Sequence, residues 1–258
     1  AARRGATLHY AHMRTALSVW TWTAITLASI GCCLIQALLV PLTWPFDKNR
    51  RITGRAYRIA AVVASTLTPM WRFRVYGKLP ERAPRGMVVV SNHQSQADPF
   101  LISHLPWEMK WLGKAMLFRL PIVGWSMAMT GDVPVERGDR ESARTAMKRL
   151  GVYLSRGMSV MIFPEGTRSK TDEMLPFKDG AFRLAIEHQV PILPLAVAGT
   201  RTALAKHDWR VGFARAFVTV GEPIETQGLA LDDLEDLKAR TRAAIEALRV
   251  QIIPLAST

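Results

Sequence analysis

The hydrophobic pattern divides the chain into two parts near residue 71. No charged residue occurs from residue 16 to residue 46, and this run is long enough to cross about 30 Å of hydrocarbon as a helix. A polar turn at residues 47–51 separates it from a second apolar helix, predicted over residues 52–70. Tryptophans lie near both ends of the first run, as interfacial aromatic residues do. The pattern favours two membrane-associated helices, either a hairpin in one leaflet or a true span, over a helix buried in a soluble core.

Beyond residue 71, short apolar strands alternate with helices. The strands are predicted at residues 73–76, 87–90, 110–112, 133–135, 160–163, 192–197 and 216–220, and helices at 142–154, 180–187 and 232–248. This order predicts an α/β fold, in which a mixed sheet is covered by helices and follows the N-terminal membrane-embedded hairpin or span. We assign residues 13–71 to the membrane-associated helices and residues 72–258 to a catalytic domain.

The first twelve residues have a different interpretation. The junction His12-Met13 is of the kind that a cloning site leaves, so residues 1–12 are interpreted as a cloning remainder and Met13 as the natural start. The arginines within that segment then carry no information about topology.

Charge and cysteine content narrow the classes of function. The chain has 34 basic and 21 acidic residues, a net charge of +13, which favours anionic partners such as membrane lipids, nucleic acid, an acidic carrier protein or CoA. A nucleic-acid-binding module would interleave aromatic platforms with its cations, whereas the tryptophans here concentrate near the apolar helices. Cys32 and Cys33 are adjacent within an apolar run, which argues against a disulfide framework and against a zinc site. A membrane surface is the favoured partner, and no metal is expected.

A histidine and an aspartate five positions apart are the first chemical signal. His93 follows the strand predicted at residues 87–90, and Asp98 stands before Pro99 in the position of a helix N-cap. Histidine is a base near neutral pH, and a neighbouring carboxylate can fix its tautomer. Alone, this spacing also fits a simple capping aspartate beside a loop histidine. Ser95 lacks the glycines of a nucleophile elbow, so we expect it to form a loop hydrogen bond.

A second loop changes the balance between these alternatives. The strand at residues 160–163 runs into Pro164-Glu165-Gly166-Thr167-Arg168. Glycine allows backbone to approach a ligand closely, and arginine binds phosphate through a planar fork of donors. Because both loops follow buried strands, we expect them to form one site at one edge of the sheet.

These motifs together resemble those of the glycerolipid acyltransferases, most closely the lysophosphatidic acid acyltransferase type. The resemblance covers about residues 73–220. It rests on Asn92-His93-x-Ser95-x-x-Asp98, Phe163 to Ser169 and Val190 to Pro194, supported by Gly113 to Leu117 and by Pro176-Phe177-Lys178 with Gly180. One motif departs from the family pattern. Val133-Pro134-Val135-Glu136-Arg137 places a proline inside a strand and a glutamate before the arginine, which puts headgroup specificity in doubt more than the chemistry.

The resemblance implies roles for individual residues. His93 is the general base and Asp98 holds and steadies its imidazole. Arg137 and Arg168 are the preferred phosphate ligands, with Lys114 and Lys178 as further cations. Glu165, Gly166 and Thr167 complete the substrate-binding set, in which Glu165 hydrogen-bonds the acceptor or orients an arginine.

The implied reaction moves a fatty acyl group from a thioester to the free sn-2 hydroxyl of 1-acylglycerol-3-phosphate, which gives phosphatidic acid. The thioester is already activated, so no cofactor is expected, and acyl-CoA or an acyl-carrier protein is the donor. The expected location is the bacterial inner membrane, with the catalytic domain on the cytoplasmic side. Alternatives are the same chemistry on a lyso-aminolipid, a lysophospholipid or glycerol-3-phosphate. The remote alternative of a non-enzymatic basic membrane-binding protein conflicts with the intact His93 and Asp98.

Overall fold

A helical hairpin opens the chain in the computed structural model, which describes residues 2–81, 83–205 and 208–257. It consists of α1 (Ala2–Thr43) and α2 (Arg51–Thr66). The carboxylate of Asp47 accepts the backbone N–H groups of Arg51 and Ile52, both at 2.8 Å, and so caps the start of α2. The two predicted helices are confirmed. α2 ends earlier than residue 70 because Pro69 disfavours helical geometry in the residue before it.

One face of α1 packs against the rest of the chain and the opposite face is open. The buried positions are Ser18, Thr21, Ala24, Cys32, Gln36 and Thr43, and the exposed ones include Val19, Leu27, Leu34, Leu38 and Leu42. Within the part of the chain that the structure describes, α1 is the only helix long and apolar enough to cross a membrane. The domain boundary assigned at residue 71 stays a prediction. The interpretation of residues 1–12 as a cloning remainder also stays a prediction, and residue 1 lies outside the described residues.

Seven strands form a single mixed sheet in the order β1-β7-β6-β2-β5-β3-β4. They are β1 (Trp71–Tyr76), β2 (Val88–Ser91), β3 (Lys110–Lys114), β4 (Val133–Val135), β5 (Val160–Ile162), β6 (Ile192–Ala198) and β7 (Ala214–Val220). β6, β2, β5, β3 and β4 run parallel, whereas β7 pairs antiparallel with β6 and parallel with β1. All seven predicted strands and the mixed α/β class are confirmed. The parallel strands bring five carboxyl ends to one edge of the sheet.

Helices cover both faces of the sheet because the central strands are apolar on both sides. Val88 and Val90 point into the core beneath α6 (Arg140–Ser155), α7 (Gly180–His188) and α8 (Leu234–Ser257), while Val89 points to the other face. There, the short α3 (Asp98–Ile102) and α2 provide the cover. Two further helices, α4 (Ala115–Phe118) and α5 (Val123–Thr130), follow β3 and were not predicted, since neither is long enough for a periodic pattern.

Pro134 is accommodated because β4 is the last strand at one edge of the sheet. A proline cannot donate a ladder hydrogen bond, and an edge strand has one side that needs no partner. The unusual motif around Pro134 therefore keeps its strand, and β4 delivers Arg137 to the same edge as the ends of β2 and β5.

Candidate active site

His93 and Asp98 meet in a direct hydrogen bond. The imidazole Nδ1 lies 2.7 Å from Asp98 Oδ2, and the His93 side chain retains 11% exposure while that of Asp98 is fully buried. Asp98 is not the N-cap of α3, contrary to the sequence prediction. It is the first helical residue, Ala97 precedes it as the cap, and its carboxylate turns back toward the loop that carries His93. The predicted pairing of imidazole and carboxylate is confirmed.

The hydrogen bonds to Asp98 determine which imidazole nitrogen carries the proton. Asp98 Oδ2 accepts the backbone N–H groups of Gln94 at 2.7 Å and Ser95 at 2.9 Å, and Thr200 Oγ1 donates to Oδ1. Because Oδ2 already accepts two backbone N–H groups, it also acts as the acceptor toward His93, so Nδ1 is the donor in this hydrogen bond. Nε2 then carries the lone pair. Among the described residues no side chain hydrogen-bonds to Nε2, which leaves it open to a substrate hydroxyl.

The imidazole is held on its other sides by packing and by the backbone. Its ring stacks on Phe163 with centroids 4.0 Å apart and planes inclined by 17°. The preceding residue, Asn92, exchanges two hydrogen bonds with the backbone of Val197, at 3.0 and 2.9 Å. These contacts join the loop after β2 to β5 and β6, so the imidazole has little freedom to rotate.

Ser95 takes a structural position. Its hydroxyl oxygen accepts the backbone N–H of Ala97 at 3.2 Å, and the residue is almost fully buried. The expected loop hydrogen bond is confirmed.

The loop after β5 contacts the loop after β2 directly. The backbone N–H of Ser169 donates to the carbonyl of His93 at 2.8 Å, which places Arg168 one residue from that contact. Gly166 adopts a φ of +68°, and a Cβ at this position would meet the Lys178 side chain at 2.8 Å. The positive φ favours glycine at this position, and the absence of a Cβ lets the Lys178 side chain lie against it. The structure thus brings Arg168, Gly166 and Lys178 to the edge that carries His93, with Thr167 exposed between them.

Arg137, which follows β4, and Arg168, which follows β5, both lie at this edge of the sheet. Partial desolvation, and then the charge of Arg168, lower the pKa of the Arg137 guanidinium, so the two like charges are near enough to interact. Among the described residues neither guanidinium forms an ion pair. Lys114 ends β3 in register with Val135 of β4, two residues before Arg137. Glu136 turns away and pairs with Arg119 at 2.6 Å. Such uncompensated cations suit a phosphate.

Glu165 is the most buried acidic residue of this loop, and both of its oxygens are occupied. Oε1 accepts the backbone N–H of His93 and Oε2 that of Leu175, each at 2.8 Å. No described guanidinium lies within ion-pair distance of it. Burial raises the pKa of the Glu165 carboxyl, while its backbone donors act in the opposite direction. Glu165 therefore positions the His93 backbone, and a contact to the acceptor stays a prediction.

We expect Glu165→Ala to destabilise the fold by about 1–3 kcal/mol for each backbone N–H left unpaired. A carboxyl whose pKa is raised on folding stabilises the native state below its unfolded pKa, and this contribution is lost as the pH rises through the folded pKa. The loss in free energy of unfolding caused by Glu165→Ala should therefore be largest near about pH 4 and shrink toward neutrality. Urea unfolding across that range measures it, with the exposed Glu187→Ala as the control. A deficit that grows with pH would contradict the assignment.

The sequence patterns gave no functional role to three residues of the site. Thr200 donates to Asp98, Phe163 stacks on His93, and Asn92 ties their loop to β6. A signal existed for Thr200, since it follows β6 at the same sheet edge, but a single hydroxyl after a strand is too common to single out. Among the described residues, no group of three or more His, Cys, Asp or Glu side chains is arranged to hold a metal ion.

Comparison with known proteins gives consistent matches. A family model described as Acyltransferase matches residues 72–198. The chain is 30% identical over 220 residues to the 1-acyl-sn-glycerol-3-phosphate acyltransferase of Haemophilus influenzae, which covers 83% of this chain and 89% of that protein. It is 36% identical over 179 residues to the chloroplastic 1-acyl-sn-glycerol-3-phosphate acyltransferase LPAT1 of Arabidopsis thaliana, which covers 67% of this chain and 49% of that protein. The chain spans about half the length of the plant and algal relatives that it matches.

A solved structure shares the fold. The 1-acyl-sn-glycerophosphate (LPA) acyltransferase PlsC from Thermotoga maritima superposes with a TM-score of 0.71 at 24% identity, covering 92% of this chain and 96% of that one. The similarity includes the mixed sheet and the N-terminal helices, since nearly the whole of both chains is matched.

Proposed function

The chain belongs to the acyltransferase family, and on that premise we propose that it transfers a fatty acyl group from an acyl thioester to the free sn-2 hydroxyl of 1-acylglycerol-3-phosphate. The product is phosphatidic acid. The observation that carries this proposal is the open Nε2 of a carboxylate-braced His93 on the same sheet edge as the uncompensated pair Arg137 and Arg168. The names of the relatives support the same reaction.

The proton transfer follows from the hydrogen bonds around His93. Nε2 removes the proton of the acceptor hydroxyl as its oxygen attacks the thioester carbonyl carbon. Asp98 keeps Nδ1 protonated and stabilises the imidazolium that forms. Collapse of the tetrahedral intermediate forms the ester and expels the thiolate, which takes the proton from the imidazolium. The thioester supplies the activation, so no cofactor is needed, and acyl-CoA or an acyl-carrier protein serves as the donor.

The arginine pair favours an acceptor that carries phosphate. A guanidinium offers paired donors to phosphate oxygens, and two guanidinium groups without a protein carboxylate leave a site for a doubly charged group. A phosphate monoester fits this arrangement better than the phosphate-free headgroup of a lyso-aminolipid. Glu136, the unusual residue of this segment, pairs with Arg119 and so leaves Arg137 available.

The packing of α1 supports a helix lying in the membrane plane rather than crossing it. Arg14 hydrogen-bonds the carbonyl of Val211 at 3.1 Å, and Gln36, about six turns further along, donates to the carbonyl of Ser126 in α5 at 3.5 Å. A helix that contacts the catalytic domain over this length cannot cross the bilayer without taking the domain into the hydrocarbon. Its exposed apolar face then contacts one leaflet, where lyso-lipids reside. We place the enzyme on the cytoplasmic side of a bacterial inner membrane, where acyl thioesters are made.

The test is an acyl-transfer assay on the full chain in phospholipid vesicles. Acyl-CoA and acyl-carrier-protein donors are combined with 1-acylglycerol-3-phosphate, a lysophospholipid, a lyso-aminolipid and glycerol-3-phosphate. We expect the highest kcat/KM with 1-acylglycerol-3-phosphate. No ester product with any phosphate-bearing acceptor would refute the proposal.

Arg168→Ala should act mainly on phosphate-bearing acceptors. We expect the KM for 1-acylglycerol-3-phosphate to rise at least tenfold, about 1.4 kcal/mol, because a charge-assisted hydrogen bond is lost. The KM for a phosphate-free lyso-aminolipid, where turnover is measurable, should change little. Arg183→Ala, an exposed arginine on α7, is the matched control. Equal effects on both acceptors would count against a phosphate role.

A further inference from the structure

We propose that the described residues between β6 and β7, 199–205 and 208–213, form a lipid-docking loop that inserts Trp209 and Phe213 into the headgroup region of an anionic bilayer. This inference rests on the membrane-bound enzyme proposed above. It adds to the contact made by α1 a second membrane contact, made by the catalytic domain itself. The occupant is a phospholipid surface rather than a protein, for reasons of exposure, anchoring and charge.

The first reason is the exposure of two large aromatic side chains. Trp209 is 54% exposed and Phe213 is 49% exposed, although both lie on a loop of the catalytic domain. Trp22 and Trp20 of α1 are also exposed. Tryptophan is the side chain most enriched at the level of lipid headgroups, because its ring is apolar and its N–H is polar. A group of exposed tryptophans therefore marks an interface.

The second reason is that the docking loop is fastened to α1. Trp22 Nε1 donates to the carbonyl of Trp209 at 2.7 Å, and the backbone N–H of Val211 donates to Ser18 Oγ at 3.0 Å. Arg14 Nε donates to the carbonyl of Val211 at 3.1 Å. These bonds place the loop against the packed side of the amino-terminal half of α1, next to Trp22, which is 38% exposed at the margin of the open face. If the open face contacts lipid, Trp22 and Trp209 border that surface at the level of the headgroups.

The third reason is the sign of the charge around the docking loop. Arg14 and Arg210 share one carboxylate, Asp208, at 3.2 and 3.1 Å, so this cluster carries a net charge of +1. Parallel pairing of β1 with β7 sets the exposed Arg72 beside the exposed Arg215. Basic side chains beside interfacial aromatics attract anionic phospholipids. An acidic soluble protein would use the cations but would have no need of the apolar α1 face.

The other end of the docking loop reaches the catalytic pair. Thr200, the second residue of the loop, donates its hydroxyl to Asp98 Oδ1. Gly199 before it has a φ of +86°, and a Cβ there would meet the carbonyl oxygen of Arg215 at 2.1 Å, so this end is closely fitted. The same loop therefore contacts both the proposed bilayer surface and the carboxylate that braces His93. Docking should favour substrates that reside in a bilayer.

The depth of Trp209 tests the proposal without any use of acyl transfer. The full chain with Cys32→Ala and Cys33→Ala receives Trp209→Cys, and a nitroxide is attached there. Leu27→Cys on the exposed face of α1 is the reference for lipid contact, and Val250→Cys on α8, across the sheet, is the reference for solvent. Accessibility to oxygen and to a nickel chelate is measured in vesicles of phosphatidylglycerol and phosphatidylcholine.

We expect the nitroxide at position 209 to behave like the one at position 27, accessible to oxygen and protected from the nickel chelate. Behaviour like that at position 250 overturns the docking loop. Protection that persists in detergent without lipid, together with a particle of two chains, would assign the surface to a second copy instead and also overturns it. If the nitroxide at position 27 is itself solvent-exposed in vesicles, the proposal that α1 contacts the membrane fails as well. Position 27 therefore distinguishes failure of the docking loop alone from failure of membrane binding by the whole enzyme.

A kinetic measurement tests the functional consequence. Trp209→Ser/Phe213→Ser should lower the rate on vesicle-embedded acceptor about tenfold, because both aromatic anchors are lost. The rate on a short-chain, monomeric acceptor should be retained. Val152→Ser/Val250→Ser, on helices of the opposite face, is the matched control. Equal losses on both acceptors would indicate a disturbed active site and would contradict docking.

Discussion

Replacing His93 with alanine is expected to lower kcat by at least about two orders of magnitude, within the range of about 10²–10⁴ that a general base contributes. The reason is the geometry around the ring. Nδ1 is occupied by Asp98 at 2.7 Å and Nε2 has no described partner, so removal of the imidazole removes the only base positioned there. KM for the phosphate-bearing acceptor should change far less, because the arginines remain.

The measurement is the steady-state rate of ester formation in vesicles, with circular dichroism and a thermal midpoint to show that the fold persists. The His93 side chain is 11% exposed, stacks on Phe163 and pairs with the buried Asp98, so its removal should lower the thermal midpoint. Rates are therefore compared at a temperature at which both proteins are folded. His188→Ala, an exposed histidine at the end of α7, is the matched control and should retain full activity. A His93→Ala enzyme with near-native kcat would refute the assignment of the base.

The second large effect concerns stability. Arg58 of α2 should be indispensable for docking the hairpin to the sheet, and Arg58→Ala is expected to reduce the free energy of unfolding by about 3–5 kcal/mol. Arg58 donates to Asp132 at 2.6 Å, lies 3.6 Å from Glu108, and stacks over the ring of Trp111 at 4.8 Å. All of these side chains are buried or nearly so.

The size of this effect follows from what the truncation leaves behind. Without the guanidinium, Asp132 retains one backbone donor, from Trp111, and Glu108 retains only the Lys110 ammonium at 3.1 Å. Burial already raises the pKa of the Glu108 carboxyl, with Lys110 and Arg58 opposing that shift. Loss of one cation therefore leaves a buried charge without compensation, which costs more than the original pair contributed.

Chemical unfolding in detergent micelles measures this prediction. The control is Arg55→Ala in the same helix, whose guanidinium makes one hydrogen bond, to the carbonyl of Leu105 at 3.1 Å. It should cost only about 1 kcal/mol. If Arg58→Ala is no more destabilising than Arg55→Ala, the cluster does not hold the hairpin on the sheet. Arg58→Lys should recover little, because an ammonium cannot serve two carboxylates and a ring in this geometry.

Much of the fold was predictable because its signals are local. The seven strands are apolar runs bounded by turns, and α6, α7 and α8 carry helical periodicity over two turns or more. α4 and α5 were missed because four and eight residues are too short for that period to show. The edge position of β4, which explains how Pro134 is tolerated, depends on strand order, and strand order depends on long-range pairing that no local pattern encodes.

For the site, the sequence by itself determined the residue types and their spacing. His93, Asp98, Arg137 and Arg168 are candidates there because base catalysis and phosphate binding each need particular functional groups, and those groups stand after strands. The motifs alone also carry the resemblance to the acyltransferase family. What these side chains contact is a different matter, since contacts join residues that are far apart in the chain.

Only the tertiary structure decided that Asp98 turns back to Nδ1 instead of capping α3, that Thr200 completes its hydrogen bonds, and that Glu165 secures the backbone of His93. It also decided that α1 lies along the domain and meets the loop of Trp209. Each of these contacts forms between segments about 5 to 190 residues apart, and their geometry follows from how the sheet orders its strands and how the helices pack on it. Sequence spacing carries no record of that geometry, because burial and hydrogen bonding are settled by the whole fold at once.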